Sequence, residues 1–283
     1  MRAEQLTDVV TVHGEGPAWS PRWAGVRWVD MLDGSLLELT DDGQVHRRRF
    51  DSDVAALHRA RGGSGWLLAT RHHLLLADSD ELHAPVRQVA RLWGERAGVR
   101  SNEGGCAPDG TLYLGSMADD ATPRMGQVVR IPPDATITEA IASTTISNGI
   151  VWSPDGARAY FADTVLDRLD LFDWSPSDGL HARRPWVQVE SPDGIAADAE
   201  GGIWVARFGH GLVERYAPDG SLSEVIEVPA RQVTAVAFAG DGRRLVITTS
   251  RYGIETSAEP GAGALFAVAD AGVEGLPLHE FAG

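Results

Sequence analysis

Residues 146–156 read Ile-Ser-Asn-Gly-Ile-Val-Trp-Ser-Pro-Asp-Gly, and residues 159–163 continue with Ala-Tyr-Phe-Ala-Asp. This stretch contains a polar Ser-Asn-Gly start, a short apolar run, a Pro-Asp-Gly turn and a second apolar run. A turn of this composition between two apolar runs predicts a β-hairpin, because proline, aspartate and glycine favour the backbone angles of a tight turn. The asparagine of this polar start is Asn148.

The same hairpin pattern occurs six times along the 283 residues. The second strands end at residues 30, 70, 116, 163, 207 and 249, so successive copies are 40, 46, 47, 44 and 42 residues apart. Between copies lie two further segments in which apolar and charged residues alternate, such as 35–39 and 44–50. Alternation with a period of two predicts half-buried antiparallel strands. Each repeat therefore supplies four strands, and no segment has the period of an amphipathic helix.

A radial array of four-stranded sheets explains this repeat. The sequence predicts an all-β fold, a six-bladed β-propeller with four antiparallel strands per blade, as a single domain over residues 1–283. A pair of β-sandwich domains is the competing fold, but it gives no reason for similar hairpins at a fixed spacing. Ring closure requires a terminal segment to add a strand, and residues 8–12 and 278–281 are both candidates.

The composition disfavours several classes of function. The chain has 25 basic and 40 acidic residues, a formal net charge of −15, which disfavours binding to nucleic acid or to an anionic membrane surface. No apolar run approaches the roughly 18 residues of a membrane span, and the first residues lack the apolar core of a signal peptide. Cys106 is the single cysteine and lies in an apolar segment. We expect a buried thiol and a cytoplasmic location; the oligomeric state is left open.

Alignment of the repeats on their turns selects one position in each, at the start of the first strand. In a propeller this position opens onto one mouth of the central channel, so side chains from different blades face one another there. Four of the six carry carboxylate or carboxamide oxygens, which suit a hard divalent cation. Calcium is the first choice, and magnesium and manganese fit the same donors. The six aligned residues are Glu15, Ala55, Asn102, Asn148, Asp193 and Thr234.

Five motifs occur in order along the chain: Gly-Glu-Gly-Pro at 14–17, Arg-Ser-Asn-Glu-Gly at 100–104, Gly-Ser-Met-Ala at 115–118, Ser-Asn-Gly at 147–149 and Pro-Asp-Gly at 192–194. With them the chain resembles the senescence-marker-protein, regucalcin and gluconolactonase family of six-bladed propellers over nearly its whole length. The resemblance implies an enzyme that hydrolyses sugar-acid lactones with one divalent metal, for which zinc is a further candidate.

The resemblance also implies roles for individual residues. The metal ligands would be Glu15, Asn148 and Asp193, and the substrate-binding residues would be Arg100, Asn102 and Asp120. The family usually has aspartate where Glu103 stands and glutamate where Asp120 stands. The shorter Asp120 leaves its reach open, and with it the sugar that is recognised.

The chemistry of lactone opening suits this set of residues. A cation with three protein ligands keeps positions for water and the lactone carbonyl, and stabilises the developing oxyanion. We assign to Asp193 the further, catalytic task of accepting the proton of the attacking water. Arg100 would orient a hydroxyl or ring oxygen with its fork of donors.

Two other functions stay open. One is phosphotriester hydrolysis at the same metal site, and the other is a propeller that binds calcium or sugar without turnover. The small-molecule partner of the leading hypothesis is a sugar lactone. The roles of Glu103 and of His210, in a Gly-His-Gly turn, are undecided, and no phosphate-binding loop or nucleophile motif stands in the required context.

Overall fold

The computed structural model describes residues 1–94, 96–255 and 257–283. Within them the regular structure consists of strands and two single 3-10 turns, Met31–Asp33 and Thr164–Leu166. The strands form six four-stranded antiparallel sheets, which confirms the predicted six-bladed β-propeller. Across the described ranges, no helix has both the length and the apolar character needed to cross a membrane.

Blades 1 to 5 each contain four strands that follow one another along the chain. Blade 1 contains β2 (Gly14–Trp19), β3 (Gly25–Asp30), β4 (Ser35–Thr40) and β5 (Val45–Arg49). Blade 2 contains β6 (Ala55–Ala60), β7 (Trp66–Thr70), β8 (His73–Ala77) and β9 (Val86–Arg91). Blade 3 contains β10 (Val99–Cys106), β11 (Leu112–Ala118), β12 (Gly126–Ile131) and β13 (Thr138–Thr144).

The remaining strands continue in the same order. Blade 4 contains β14 (Ser147–Trp152), β15 (Arg158–Asp163), β16 (Arg168–Ser175) and β17 (Gly179–Gln188). Blade 5 contains β18 (Pro192–Ala197), β19 (Ile203–Arg207), β20 (Leu212–Tyr216) and β21 (Leu222–Glu227). Blade 6 contains β22 (Val233–Ala239), β23 (Arg244–Thr249), β24 (Phe266–Val268) and the N-terminal β1 (Glu4–Gln5). The first strand of each hairpin repeat is the inner strand, and neighbouring inner strands pack around the channel.

The N-terminus closes the ring. Strand β1 is the outermost strand of blade 6 and pairs with β24 through Glu4–Ala267 and Gln5–Phe266. Neither candidate segment is this strand, because residues 8–12 follow it and residues 278–281 lie in no strand. A strand of two residues is too short to show a period, which is why its pattern could not be seen in the sequence.

The C-terminal segment crosses the other end of the channel. The backbone N–H of Leu276 donates to Ala197 O at 2.9 Å, and that of Phe281 donates to Ala60 O at 2.9 Å. Both acceptors are the last residues of inner strands, whereas the aligned polar residues lie at the beginnings of such strands. The segment therefore connects blade 5 to blade 2 at the mouth opposite the predicted site.

Aromatic side chains of the inner hairpins pack between neighbouring blades. Trp204 of blade 5 meets Phe238 of blade 6 edge-on, with ring centroids 6.1 Å apart. Trp152 of blade 4 lies 5.5 Å from Tyr113 of blade 3. Truncating a buried aromatic residue to alanine typically costs about 3–5 kcal/mol, so these contacts contribute strongly to the ring.

A β-bulge lies near the start of every inner strand. In each inner hairpin the pairing register shifts near this point. A bulge leaves a residue unpaired and changes the direction of its side chain. Asn102, Asn148, Asp193 and Thr234 are unpaired at these shifts, and Glu15 directly precedes the shift of blade 1. In blade 2 the equivalent residue is Ala56 rather than the predicted Ala55, because the weak Gly62-Gly63 turn misplaced the alignment by one residue.

We expect deletion of residues 1–5 to lower the melting temperature by roughly 5–10 °C. The deletion removes the outer strand of blade 6 and exposes Phe266, which is 1% exposed in the intact chain. Thermal unfolding followed by circular dichroism measures the change. The exposed Glu4→Ser keeps the backbone pairing and should stay within about 2 °C of the wild type. A deletion variant with an unchanged melting temperature would show that β1 does not stabilise the closed ring.

Candidate active site

Four of the six aligned residues meet at one mouth of the channel and are called the ring residues, and the site that they form is called the ring. They lie on four different blades, and each is between 2% and 5% exposed: Glu15, Asn102, Asn148 and Asp193. The amide of Asn102 donates from Nδ2 to Asn148 Oδ1 at 3.1 Å, which joins blade 3 to blade 4. Thr234 donates to Gly14 O at 2.6 Å and joins blade 6 to blade 1. Turn alignment thus selected side chains that the fold brings together.

The two acids of the ring are buried with few hydrogen bonds. Burial raises the pKa of Glu15 well above its ordinary value, and the charge of Glu103 raises it further. Burial raises the pKa of Asp193 in the same way, and Glu15 and Glu103 add to the increase. Gly16 N–H donates to Glu15 Oε2 at 3.0 Å, whereas Asp193 accepts no hydrogen bond from the described part of the chain. The ionised forms of these two carboxyl groups are costly to bury without a positively charged or hydrogen-bonding partner.

This donor set fits a hard divalent cation. A cation would compensate Glu15 and Asp193, and the amide oxygen of Asn148 supplies a neutral ligand. Among the residues described, no group of three or more His, Cys, Asp or Glu side chains is placed to hold a metal. The ring combines two acids with amide oxygens instead. Carboxylate and amide oxygens of this kind are the ligands that calcium, magnesium and manganese accept.

Arg100 lies at the edge of the ring and is held by several acceptors. Its Nη1 donates to Asn102 Oδ1 at 2.7 Å and to Ser101 O at 3.0 Å, and it contacts Met31 Sδ at 3.2 Å. Blade 2 lies between blades 1 and 3 and presents only the methyl group of Ala56 at this mouth. The guanidinium of Arg100 on blade 3 can therefore reach Met31 of blade 1. The ring's apolar side consists of Met31, Val54 and Ala56, each fully buried.

Two residues that the sequence did not reveal support Arg100. Asp119 Oδ1 lies 3.9 Å from Arg100 Nε. Arg71 holds Asp119 with two bonds of 2.7 and 2.9 Å, and binds Asp53 with two more of 2.8 Å. Asp119 stands beside Asp120 in a connecting loop, and Arg71 lies in the loop after β7, so no motif marked either one.

Glu103 lies beside Asn102 in the bulge of β10 and faces the interior of the channel. Its Oε2 has no hydrogen-bond partner in the described structure. It lines a cavity of about 40 Å³ together with Arg59, which donates to His58 O at 2.8 Å and Gly104 O at 3.1 Å. Burial raises the pKa of Glu103 to about 7, against the opposing charge of Arg59. Glu103 therefore adds a third acid next to the ring.

His13 is a further neighbour of Glu15 that the alignment missed. Its Nε2 lies 3.7 Å from Glu15 Oε1, and its Nδ1 is 2.8 Å from Ser250 Oγ. Burial lowers the pKa of His13 to about 3, and the charge of Arg100 lowers it further. The imidazole is therefore neutral near pH 7 and does not neutralise Glu15.

Other predicted residues lie outside the ring. Asp120 is exposed in the loop after β11, where its Oδ1 accepts from Thr122 N at 3.0 Å and Thr122 Oγ1 at 2.6 Å. Its contact with substrate stays a prediction.

His210 is exposed in the turn after β19, with Nε2 4.0 Å from Glu190. Cys106 is buried, and burial raises the pKa of its thiol to about 12, so it is no nucleophile.

The glycines after the ring residues serve blade packing. A Cβ on Gly149 would lie 2.6 Å from Ile195 N, and one on Gly194 would lie 2.4 Å from Ala235 Cβ. Both neighbours belong to the inner strand of the next blade. The missing side chains of these glycines therefore allow adjacent inner strands to approach closely.

Residues 13–251 match the family model described as the SMP-30/Gluconolactonase/LRE-like region. The chain belongs to this family. The match spans all six inner hairpins, including the four oxygen-bearing ring residues. The resemblance that the five motifs indicated is therefore confirmed.

Full-length relatives agree with this assignment. The chain is 32% identical over 275 residues to a putative sugar lactone lactonase of Rhizobium meliloti, covering 92% of this chain and 91% of the relative. It is 29% identical over 293 residues to the L-arabinolactonase of Azospirillum brasilense, covering 100% and 96% of the two chains. A crystal structure of the calcium-binding protein regucalcin from Agrobacterium tumefaciens superposes with a TM-score of 0.90, at 30% identity, covering 98% and 97%.

We expect Glu103→Gln to stabilise the metal-stripped protein increasingly as pH rises from 5 to 8. A carboxyl whose pKa rises on folding, here from 4.5 to about 7, holds its proton more tightly in the native state. The stability that this bound proton contributes is therefore lost as pH rises from about 4.5 to about 7. Thermal unfolding in chelator should show the gap in melting temperature between variant and wild type widening by a few degrees.

The matched control is Asp155→Asn in an exposed turn, where hydrogen bonds from Ser153 and Ala157 lower the pKa of the carboxyl. Asp155 is ionised throughout this pH range, so its variant should differ from the wild type by a constant amount. A Glu103→Gln gap that does not change with pH would contradict the raised pKa.

Proposed function

We propose that the chain is a lactonase that opens sugar-acid lactones at the ring, with one divalent cation bound by Glu15, Asn148 and Asp193. The observation that carries this proposal is the pair of buried, poorly hydrogen-bonded carboxylates beside amide oxygens at one channel mouth. Membership of the family and the lactonases among the relatives support lactone hydrolysis as the reaction. The calcium-binding regucalcin supports a divalent cation.

The cation's contribution follows from its charge. When bound, it would polarise the lactone carbonyl and stabilise the negative charge that develops on its oxygen. The protein's part is to hold oxygen ligands rigidly, and the bulges of four inner strands fix their backbone. Calcium remains our first choice, because it accepts carboxylate and amide oxygens in varied geometries, including ligands that come from separate blades.

Asp193 is our candidate for the group that moves the proton. It makes no hydrogen bond to a described residue, so its second oxygen is available to a water molecule at the ring. We propose that Asp193 accepts the proton as water attacks the lactone carbon.

Arg100 and Asn102 would orient the sugar. Arg100 uses Nη1 for protein contacts, while Nη2 makes no hydrogen bond to the described residues and remains free for a hydroxyl or ring oxygen. Asn102 donates both amide hydrogens to protein acceptors and keeps one lone pair on Oδ1 after the bond from Arg100. Asn102 would therefore accept a hydrogen bond from substrate or from water.

We expect chelation to abolish proton release from gluconolactone above the spontaneous rate, and added calcium or manganese to restore it. Glu15→Ala and Asp193→Ala should each reduce kcat/KM by at least about 100-fold, because each removes a charge from the ring. A pH-indicator assay measures the rate. Asp155→Ala, in an exposed turn far from the ring, should retain activity within about twofold.

A phosphotriester substrate and a thermal-unfolding measurement separate the two alternative functions. Metal-dependent release of product from a phosphotriester, without turnover of lactones, would favour the phosphotriesterase function. Metal-dependent thermal stabilisation without turnover of any lactone in a panel would favour a binding protein. Full lactonase activity in Glu15→Ala and Asp193→Ala would reject the proposed site.

We expect Asp120→Asn to raise KM for the lactone about 10-fold with kcat changed less than about twofold. Asparagine keeps the turn bond to Thr122 but loses the charge that would bind a sugar hydroxyl. Asp134 forms the same turn with Thr136 N at 2.9 Å, in a loop at the far end of blade 3. Asp134→Asn should leave KM unchanged, and equal KM values for both variants would remove Asp120 from the substrate site.

A further inference from the structure

A continuous series of hydrogen bonds crosses three blades at the ring. Arg100 donates to Asn102 Oδ1 at 2.7 Å, and Asn102 Nδ2 donates to Asn148 Oδ1 at 3.1 Å. Asn148 Nδ2 then donates to Thr164 Oγ1 at 2.6 Å, and Thr164 donates to Pro192 O at 2.8 Å. Every bond points in the same direction, so each polarises the next. The last acceptor belongs to the residue that precedes Asp193.

The two ends of this series determine the direction of both amides. An arginine can only donate and a backbone carbonyl can only accept. Asn102 therefore turns Oδ1 to Arg100 and Nδ2 to Ser147 O, which lies 2.9 Å away. The single hydroxyl hydrogen of Thr164 goes to Pro192 O, so its oxygen must accept from Nδ2 of Asn148. Asn148 is left with its oxygen toward the ring.

We propose that Thr164 is a positioning residue, which holds Asn148 Oδ1 toward the ring cation and fixes the spacing between Asn148 and Asp193. This inference rests on the proposed metal site. After the bond from Asn102, Asn148 Oδ1 keeps one lone pair for a cation. Without the Thr164 oxygen, only the bond from Asn102 still orients the amide, so it rotates more readily to present its NH₂ group, which a cation repels.

Thr164 can serve this purpose because of its place in the fold. It is the first residue of the 3-10 turn Thr164–Leu166, directly after β15, which pairs with the strand that carries Asn148. Its backbone N–H donates to Ile146 O at 3.2 Å, so the turn is attached to the start of that same strand. The side chain is therefore held between blade 4 and the first residue of blade 5.

The test is calcium affinity of the metal-stripped full chain, measured by isothermal titration calorimetry. Thr164→Val keeps the shape and removes the hydroxyl, and we expect Kd to rise about 10–100-fold, as for other groups that orient a metal ligand. Thr164→Ser keeps the hydroxyl and should bind within about threefold of the wild type. If the valine variant fails to fold, Thr164→Ala replaces it.

The matched control is Thr249→Val. Thr249 is buried, donates to Ala264 O at 2.7 Å and accepts from Gly263 N at 3.0 Å, with no bond to the oxygen ligands of the ring. Its variant should lose stability in chelator as Thr164→Val does, yet keep the wild-type Kd. A loss of affinity in both variants would indicate a general structural effect and overturn the proposal.

A second variant separates orientation from other effects. Asn148→Asp presents an oxygen in either rotation, so adding Thr164→Val to it should weaken binding much less than in the wild-type background. An unchanged Kd in Thr164→Val, while Asn148→Ala weakens binding, would overturn the inference and leave the proposed function intact. A wild-type chain that binds neither calcium nor manganese would overturn the metal site and this inference together.

Discussion

The burial of two carboxylates, Glu15 and Asp193, at the centre of a ring of strands is the constraint on which the site depends. Burial raises the pKa of both, and Glu103 beside them increases the repulsion. Arg100 and Arg59 supply positive charge nearby but make no ion pair with either acid within 4.0 Å among the described residues. A divalent cation would remove this cost, so the metal would stabilise the fold as well as assist the reaction.

The propeller supplies the conditions that this arrangement needs. Bulges at the starts of the inner strands direct equivalent side chains toward one mouth, and glycines such as Gly149 and Gly194 let neighbouring inner strands approach. Strand β1 closes the ring from the N-terminus, and the C-terminal segment crosses the opposite mouth. The C-terminal segment thus lies across the opposite mouth, and the two acids are nearly inaccessible to solvent, which strengthens the electrostatic interactions between them.

The fold and the positions of the aligned polar residues were predictable because both depend on local patterns that repeat. Turn residues and strand period are written into each copy, so aligning six copies located Glu15, Asn102, Asn148 and Asp193. The weak Gly62-Gly63 turn of blade 2 shifted the alignment by one residue, so that it selected Ala55 in place of Ala56. Strand β1 was too short to show alternation. Thr164, Asp119, Arg71 and His13 were missed because each acts through contacts between blades, and such contacts leave no spacing in the sequence. The structure also shows Asp120 engaged with its own turn, which the sequence could not reveal.

Anomalous diffraction from crystals soaked in manganese tests the central claim most directly. The account predicts one strong peak at the channel mouth, about 2.0–2.6 Å from oxygens of Glu15, Asn148 and Asp193. It further predicts that the peak is absent from crystals of Asp193→Ala with the same propeller. A metal peak bound by other residues, or no peak at the ring in crystals of active protein, would contradict the account.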